Sequence, residues 1–230
     1  MKKKIIDILK QELSAHYLFG FADLTGLLPE KFSSFARGIS ILRKLDPGIL
    51  NNNKNGPTRA YFHHYEAINE ELRLVIYKIS SQLKDAGIKC LGRKPTSNDS
   101  EIDAKYSKTL RTEISHKMIA TRAGLGWIGK TDLFISRKWG PRLRLASILF
   151  EVPVQIDSDP VEKSECKSCT VCVDHCPAKA GNGKEWDIHT DRDAFFNAFK
   201  CRDMCRRLAK ENLDLSMSLC GRCVAICPIG

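Results

Sequence analysis

The spacing of apolar residues predicts two helices in the N-terminal half of the chain. Apolar side chains recur every three or four positions between residues 5 and 13, and again over a longer stretch between residues 68 and 83. Gly87 follows the longer stretch and is placed to end that helix. Residues 32–45 fit a helical spacing and, at their centre, also a strand, so the pattern leaves this segment ambiguous.

Shorter apolar runs predict strands farther along the chain. Residues 133–135 and 148–154 are rich in strand-forming side chains. Thr190 followed by Asp193 is typical of a helix N-terminus, and it predicts a helix that carries the apolar residues between 195 and 208. The mixture of elements indicates an α/β chain of the α+β kind.

Charge and cysteine content divide the chain in two. The 230 residues include 37 Lys and Arg against 27 Asp and Glu, for a net charge of +10. Only eleven of these basic residues lie from Val161 onward, against ten acidic ones, whereas nine of the ten cysteines lie between Cys166 and Cys227. We therefore expect a basic α/β domain over residues 1–160 and a cysteine-rich domain over residues 161–230.

Composition also excludes two classes of protein. Ten cysteines in 230 residues are too dilute for a small disulfide scaffold. No stretch has the roughly 18 uninterrupted apolar residues of a membrane span, and Asp7 and Glu12 interrupt what would be the apolar core of a signal peptide. We expect a soluble, cytoplasmic protein with no membrane partner, whose cysteines are reduced or bound to metal.

The strongest chemical signal is a cysteine pattern that occurs twice. Cys166 to Pro177 reads C-x2-C-x2-C-x3-C-P, and a shorter copy, C-x2-C-x3-C-P, runs from Cys220 to Pro228. The first is the bacterial ferredoxin run, in which three thiolates bind one cubane and the fourth reaches another. Paired C-x2-C also forms tetrahedral zinc sites, but the three-cysteine run and its repetition favour two [4Fe–4S] clusters.

Two cubanes need eight ligands, and the two runs supply seven. The eighth is Cys201 or Cys205, which are four residues apart on one predicted helix and can face the same side; we predict Cys201. The predicted metal ligands are Cys166, Cys169, Cys172, Cys176, Cys201, Cys220, Cys223 and Cys227. In the crossed arrangement, Cys227 joins the first three cysteines, and Cys176 joins those of the second cluster.

A glycine-rich loop at Gly124–Thr131 matches two nucleotide-binding patterns, G-x-G-x-x-G and G-x4-G-K-[ST]. Both require a strand before the loop and a helix after it, whereas here a helix is predicted before it and a strand after it. We therefore expect this loop to bind no nucleotide.

The glycines of the loop still permit close approach of a bulky or flat ligand, and Trp127 offers a ring that could stack on one. Between Lys117 and Arg144 there are also seven basic residues and one acid, which is either a solvated basic face or a site for an anionic cofactor, substrate or nucleic acid.

The loop Ala123–Lys130, followed some thirty-five residues later by the doubled cysteine pattern, resembles the epoxyqueuosine reductase family and, more distantly, the corrinoid-containing reductive dehalogenases. The resemblance covers about residues 120–228. It implies a nitroreductase-like mixed-sheet domain that holds cobalamin, and a two-cluster ferredoxin-like module that supplies electrons. The cofactor-binding residues predicted on this basis are Gly124, Gly126, Trp127, Gly129 and Lys130.

Two departures from the family bear on the reaction. The family carries a C-terminal helical-repeat domain that contacts tRNA, and we expect a short member without it. The family's proton-donating aspartate corresponds here to Leu110. No catalytic acid can be assigned. Glu113 and His116 are the nearest titratable candidates, and they could equally be surface residues. His63 and His64 could offer an axial ligand to cobalt, but such histidines are usually surface residues too.

These observations leave three functional hypotheses. The first is an oxidoreductase in which the clusters reduce a bound corrinoid that acts on an unidentified substrate, with an external electron donor. The second is an electron-transfer or reductive-activation protein for a corrinoid partner, and the third is a two-cluster ferredoxin with a structural N-terminal domain. We favour the first, because a ferredoxin alone needs far fewer residues. Its expected substrate is a small molecule or a corrinoid protein, and tRNA is possible but not favoured.

Overall fold

The computed structural model describes residues 1–95 and 104–230, which form two compact units. The first unit contains most of the N-terminal part of the chain, and the second contains the cysteine-rich region together with two earlier segments. The first comprises residues 1–44, 68–125 and 144–161, and the second comprises residues 45–67, 126–143 and 162–230. The boundary between residues 161 and 162 lies one residue from the predicted domain boundary. The two earlier segments, however, cluster with the cysteine-rich region and not with the rest of residues 1–160.

The first unit is built on a four-stranded sheet with the strand order β1-β2-β6-β3. The strands are β1 (Tyr17–Asp23), β2 (Arg37–Lys44), β3 (Cys90–Arg93) and β6 (Leu143–Phe150). β1 pairs antiparallel with β2, with Gly20 opposite Ser40, and β3 pairs antiparallel with β6. β2 is a central strand with five consecutive buried residues, which is why it lacks the alternation of a half-exposed strand.

The first unit also contains the helices α1 (Lys2–Glu12), most of α3 (Arg59–Asp85), α4 (Ala104–Thr109) and α5 (His116–Arg122). α5 begins at the N-cap residue Ser115, whose hydroxyl accepts a hydrogen bond from the Met118 amide. It packs on β1 and β2, where Ile119 is fully buried beside Ala22 and Leu24. The last residues of α5 therefore form part of the core of the first unit.

The second unit contains little regular structure. Its elements are α2 (Pro47–Asn51), the start of α3, the hairpin of β4 (Gly126–Ile128) and β5 (Phe134–Ser136), α6 (Val171–Asp174), a 3-10 turn (Arg192–Ala194), α7 (Ala198–Leu213) and α8 (Arg222–Ile226). In the hairpin, Trp127 lies opposite Ile135. Three buried aromatic residues, Trp186, Phe195 and Phe196, contribute to its core.

Most predicted elements are confirmed, including the helices at residues 5–13 and 68–83. Gly87 follows α3 with a positive φ of 77°. The ambiguous segment at residues 32–45 forms β2, preceded by a 3-10 turn at Glu30–Phe32. β6 ends at Phe150, so Val152 and Val154 lie beyond the strand in which the sequence placed them.

The predicted helix start at Thr190 is wrong. The Thr190 hydroxyl donates to the Asp187 carboxylate, and it therefore caps no helix. Asp191 caps a short 3-10 turn instead. α7 begins after Asn197, whose side chain accepts a hydrogen bond from the Lys200 amide. Phe195 consequently lies before α7 and not on it. Among the helices formed by residues 1–95 and 104–230, none combines the length and the hydrophobicity needed to cross a bilayer.

Candidate iron–sulfur site

Short elements of the second unit present the nine cysteines between Cys166 and Cys227. Cys166 and Cys169 lie in a turn closed by a hydrogen bond from the Cys169 amide to the Cys166 carbonyl oxygen, at 3.0 Å. Cys172 lies on α6 and Cys223 on α8, while α7 carries Cys201 and Cys205. Because α6 and α8 are only one turn long, the positions of Cys172 and Cys223 are set by local turns.

Two groups of thiols can be recognised from their electrostatic contacts. Cys172 interacts with Cys166 and Cys169, and Cys227 interacts with Cys172 and Cys166. Cys223 interacts with Cys176 and Cys220, and also with Cys172, while Cys205 interacts with Cys201 and Cys220. The first group matches the crossed pattern, since Cys227 from the second run joins three cysteines of the first.

The second group surrounds a cavity of about 140 Å³. Its cysteine lining consists of Cys176, Cys201, Cys205, Cys220 and Cys223. The loop that carries Cys220 is held by Asn53, whose side-chain amide donates to the Cys220 carbonyl oxygen at 2.8 Å. Among the described residues, no three side chains of the types His, Cys, Asp or Glu are grouped so that they could bind one metal ion together. A cubane does not require such a group, because each thiolate binds a different iron. The donor set and its arrangement fit two cubanes.

Burial controls the acidity of these thiols. It raises the pKa of Cys223 to about 12 and also raises the pKa values of Cys172 and Cys227. A hydrogen bond from Cys205 lowers the pKa of Cys220 to about 7. Only thiolates bind iron, so cluster assembly must release protons from most of these cysteines.

The second half of the glycine loop packs against the first cysteine run. The Trp127 indole N–H donates to the Cys166 sulfur at 3.3 Å, and the ring is only 4% exposed. The Lys130 ammonium, also 4% exposed, donates to the Lys167 carbonyl oxygen at 2.6 Å. A Cβ at Gly129 would lie 3.5 Å from the Cys166 sulfur and 2.6 Å from Ile135. These residues therefore contact the cysteine loop that precedes α6.

The other two glycines serve close backbone contacts. A Cβ at Gly126 would lie 2.0 Å from the Ile135 carbonyl oxygen, so only glycine permits the pairing of β4 with β5. Gly124 belongs to the first unit and has a φ of +73°, and a Cβ there would lie 2.7 Å from the Asp159 carbonyl oxygen. The protein itself thus accounts for both glycines. As predicted, a helix, α5, precedes the loop and a strand, β5, follows it, which is the reverse of a nucleotide-binding loop.

Thr131 is a functional candidate that the sequence reasoning missed. Its side chain is 6% exposed and hydrogen-bonds to Cys172 and to Cys223, which belong to different thiol groups. In the sequence, Thr131 is visible only as the last residue of the misleading nucleotide pattern. A threonine two residues after Gly129 carries no signal of its own in the sequence.

The basic residues between Lys117 and Arg144 contribute to internal contacts as well. Arg142 donates to the Cys227 and Ile229 carbonyl oxygens, and Arg137 forms an ion pair with Glu165 at 2.5 Å. Together with Lys130, these residues bind the cysteine-rich region of their own unit. The run is therefore not simply a solvated basic face.

The candidate proton donors of the first unit are engaged. Glu113 forms an exposed ion pair with Lys31 at 2.5 Å. His116 is partly buried, with Nε2 3.0 Å from the Lys94 carbonyl oxygen and Nδ1 2.9 Å from the Ser147 hydroxyl. A carbonyl oxygen only accepts, so Nε2 carries the proton and Nδ1 accepts from Ser147. Burial lowers the pKa of His116 to about 4, and the imidazole is neutral at physiological pH.

The two adjacent histidines of α3 lie in the second unit. His64 Nε2 accepts a hydrogen bond from the Asp46 amide at 3.0 Å, so its lone pair is occupied. The His63 ring packs beside Phe62, with ring centroids 5.2 Å apart. Neither histidine lines the cavity of the second thiol group.

Comparison with known proteins identifies the cysteine-rich region. Residues 165–230 match a family described as the 4Fe-4S double cluster binding domain. This match confirms the prediction of two [4Fe–4S] clusters. The assignment of individual thiolates to individual clusters stays a prediction.

The chain is similar in sequence to epoxyqueuosine reductases, as predicted from the loop and cysteine motifs. It is 25% identical over 166 residues to the enzyme of Leadbetterella byssophila, which covers 72% of this chain and 48% of that protein. It is 32% identical over 117 residues to the enzyme of Lactococcus garvieae, and this match covers 48% of this chain and 30% of that protein. The chain thus spans half or less of the length of these relatives.

Solved structures show the same fold. An epoxyqueuosine reductase from Streptococcus thermophilus gives a TM-score of 0.58 at 18% identity, over 100% of this chain and 66% of that one. An epoxyqueuosine reductase solved with a tRNA-Tyr stem loop gives a TM-score of 0.58 at 19% identity, over 99% of this chain and 64% of that one. A catabolic reductive dehalogenase gives a TM-score of 0.63 at 15% identity, over 92% of this chain and 29% of that one. The predicted mixed α/β fold with a C-terminal cluster module is confirmed.

Proposed function

We propose that this chain is an iron–sulfur oxidoreductase of the epoxyqueuosine reductase type, in which two [4Fe–4S] clusters pass electrons to a bound corrinoid that reduces a substrate. The observation that carries this proposal is the gathering of nine cysteines into two groups, with Cys227 beside the cysteines of the first run as in the crossed pattern of bacterial two-cluster ferredoxins. When bound, the clusters supply low-potential electrons, and a corrinoid supplies the reducing chemistry.

The proposed ligand assignment follows the two groups. Cys166, Cys169, Cys172 and Cys227 hold the first cluster, and Cys176, Cys201, Cys220 and Cys223 hold the second. Cys205 touches both Cys201, at 3.9 Å between sulfurs, and Cys220. Thiolates on different irons of one cubane are held apart by its core, so Cys205 is badly spaced to share a cluster with Cys220. This spacing supports Cys201 as the eighth ligand.

The residues of the glycine loop take a different role in this proposal from the one that the sequence suggested. Trp127, Gly129 and Lys130 support the first cluster, through the Cys166 sulfur and the backbone around it. Since the Trp127 ring is buried and its N–H is bonded, it is not available for stacking on a corrin. A Cβ at Gly126 would disrupt the β4–β5 hairpin, so Gly126 serves the fold of the loop in this proposal.

This engagement of the loop favours a second candidate function. The chain could deliver electrons to a corrinoid that a partner protein holds, and bind none itself. The two functions differ in one measurable respect, which is whether cob(II)alamin binds to this chain. In either case the expected substrate is a small molecule or a corrinoid protein, with an external electron donor.

The decisive experiment starts from anaerobically purified protein reconstituted with iron and sulfide. We expect about eight iron atoms per chain and a cubane EPR signal on reduction. Cys172→Ala should lose about half of the iron, whereas Cys90→Ala, at a buried thiol of the first unit, should lose none. Iron near four per chain in the wild type, or stoichiometric zinc, would contradict the two-cluster proposal.

Corrinoid binding is tested on the same material. Titration of cob(II)alamin with the protein should change the cobalt EPR spectrum, because displacement or loss of an axial ligand alters the cobalt hyperfine pattern. An unchanged spectrum at stoichiometric protein would overturn the corrinoid-binding function. It would leave the electron-transfer function, since the cluster content does not depend on this result.

A further inference from the structure

Lys130 places a positive charge inside the second unit. The residue is only 4% exposed, although lysine is almost never fully buried unless its charge is paired. Its ammonium donates to the Lys167 carbonyl oxygen at 2.6 Å. Within residues 1–95 and 104–230, the Lys130 side chain makes no other hydrogen bond and no ion pair. One of its three N–H groups is therefore accounted for, and no carboxylate of these residues balances its charge.

An ammonium in this position is unfavourable unless an anion lies near it. Taking a charge out of water costs far more free energy than one neutral carbonyl group returns. Glu165, which precedes Cys166 in the chain, already forms an ion pair with Arg137 at 2.5 Å. The folded chain therefore buries a cation whose counter-charge is not a carboxylate of the described residues.

The ammonium of Lys130 lies against the turn that carries the first two cysteines. Lys167, whose carbonyl oxygen accepts its hydrogen bond, lies between Cys166 and Cys169, and the Cys169 amide closes this turn by donating to the Cys166 carbonyl oxygen. The residue before Lys130 is equally close, because a Cβ at Gly129 would lie 3.5 Å from the Cys166 sulfur. The buried charge is thus held beside two proposed ligands of the first cluster.

We propose that Lys130 supplies the counter-charge of the first cluster and raises the reduction potential of that cluster. A cubane with four thiolate ligands is an anion, and reduction adds one more negative charge, so its potential depends on the charges around it. A fixed cation stabilises the reduced form more than the oxidised form, and the low-dielectric surroundings strengthen this effect. The inference rests on the two clusters of the proposed function and does not depend on a corrinoid.

EPR-monitored redox titration of the cluster-loaded protein tests the proposal. In Lys130→Met, the potential of the first cluster should fall by at least about 59 mV, which is a tenfold change in the equilibrium constant of a one-electron step. The potential of the second cluster should fall less. Cys172→Ala, which should retain only the second cluster, identifies the two signals. The control is Lys184→Met, at an exposed lysine of the same unit, and it should change neither potential because water and salt screen an exposed charge.

Two further measurements separate the charge of Lys130 from its shape. Lys130→Arg keeps the positive charge, so its first-cluster potential should stay closer to that of the wild type than the potential of Lys130→Met does. The shift in Lys130→Met should also be as large at about 1 M salt as at about 0.1 M, because buried charges are screened much less than exposed ones.

The proposal is overturned if Lys130→Met keeps the full iron content and both potentials are unchanged, or if Lys130→Arg and Lys130→Met shift the potential equally. If Lys130→Met does not assemble the first cluster, Lys130→Arg decides the matter. Assembly at a near wild-type potential in Lys130→Arg supports the role of the charge, and loss of the cluster from both variants overturns it. Iron near four per chain in the wild type would instead contradict the two-cluster proposal, so the two failures can be told apart.

Discussion

At the scale of single residues, two side chains distinguish the environments of the cysteine groups. Trp127 donates to the Cys166 sulfur of the first group, while the Thr131 hydroxyl lies beside one sulfur of each group and can donate to one of them at a time. Hydrogen bonds to cluster sulfurs stabilise the more negative, reduced cluster and so set the reduction potential. Both residues are therefore expected to tune electron transfer without binding iron.

Trp127→Phe should lower the reduction potential of one cluster and leave the other unchanged. The substitution removes the indole N–H but keeps a buried ring, so the iron content should stay the same. Redox titration followed by EPR measures both potentials. Trp186→Phe, at another buried tryptophan of the second unit, is the control and should change neither. Two unshifted potentials in Trp127→Phe would argue against the hydrogen bond.

Thr131→Val should lower the reduction potential of one cluster, because the hydroxyl lies beside Cys172 and Cys223 and donates its single hydrogen to one thiolate. Valine keeps the shape of threonine, and Thr131→Ser keeps the hydroxyl. We expect wild-type potentials in Thr131→Ser and one shifted potential in Thr131→Val, again by EPR-monitored titration. Unshifted potentials in Thr131→Val would show that the hydroxyl donates to neither thiolate.

His116 should make the protein less stable in mild acid. Burial holds the pKa of the folded-state imidazole at about 4, below its ordinary 6.5, and Arg93 and Arg144 add to this effect. The unfolded chain therefore binds a proton first, and stability present at neutral pH is lost as the pH falls from about 6.5 towards 4. At pH 5 the loss is on the order of 2 kcal/mol.

The measurement is the melting temperature of the wild type and of His116→Gln between pH 7 and pH 5. Glutamine can still donate to the Lys94 carbonyl oxygen but does not titrate. We expect the variant to be less stable than the wild type at pH 7 but to lose less stability on acidification. Parallel curves for the two proteins would show that His116 is not the group responsible.

At the scale of elements, α7 decides which thiol completes the second cluster. Cys201 and Cys205 are one turn apart on the same face, and both line the cavity of the second group. Sequence spacing cannot separate them. Their contacts support the proposal of Cys201, because Cys205 interacts with Cys220 as well as with Cys201.

Cys201→Ser should therefore lose about half of the iron, and Cys205→Ser should retain all of it. Iron and sulfide analysis of the anaerobic proteins measures this directly. Cys90→Ala serves again as the thiol control outside the second unit. The reverse result, with iron lost only from Cys205→Ser, would exchange the roles of the two residues.

At the scale of the whole molecule, the expected substrate differs from that of the relatives. We expect little or no conversion of epoxyqueuosine in tRNA, although the fold is shared with an enzyme solved with a tRNA stem loop. Expulsion of an oxygen leaving group needs a proton, and a positioned acid contributes about 10²–10⁴ in rate. Leu110 cannot donate one, Glu113 is ion-paired with Lys31, and His116 is neutral.

The assay uses epoxyqueuosine-containing tRNA, reduced cobalamin and a strong reductant at physiological salt, with mass spectrometry of the nucleosides. An authentic epoxyqueuosine reductase is the positive control. Efficient formation of queuosine would refute the prediction. If Glu113→Gln then abolished it, Glu113 would be the acid, released from Lys31 during the reaction.

Much of the fold could be predicted from sequence, because the signals are local. The helical spacing in α1 and α3, and Gly87 after α3, depend on neighbours a few residues apart. β2 was ambiguous because it is buried on both faces and shows no alternation. The sequence analysis did not predict β1. It also misassigned the helix cap to Thr190, because the Thr190 hydroxyl donates to Asp187 and the side chain of Asn197 caps α7 instead.

The sequence by itself determined the chemistry of the cysteine-rich region. Cluster ligands repeat at two- and three-residue gaps, since one turn must aim several thiolates at one cluster, and this spacing can be read directly. Only the tertiary structure decided what the glycine loop does. Trp127 and Cys166 are 39 residues apart, and Thr131 reaches Cys172 and Cys223 from different runs. Contacts between such distant residues depend on how the chain packs, so no spacing within the loop could reveal them.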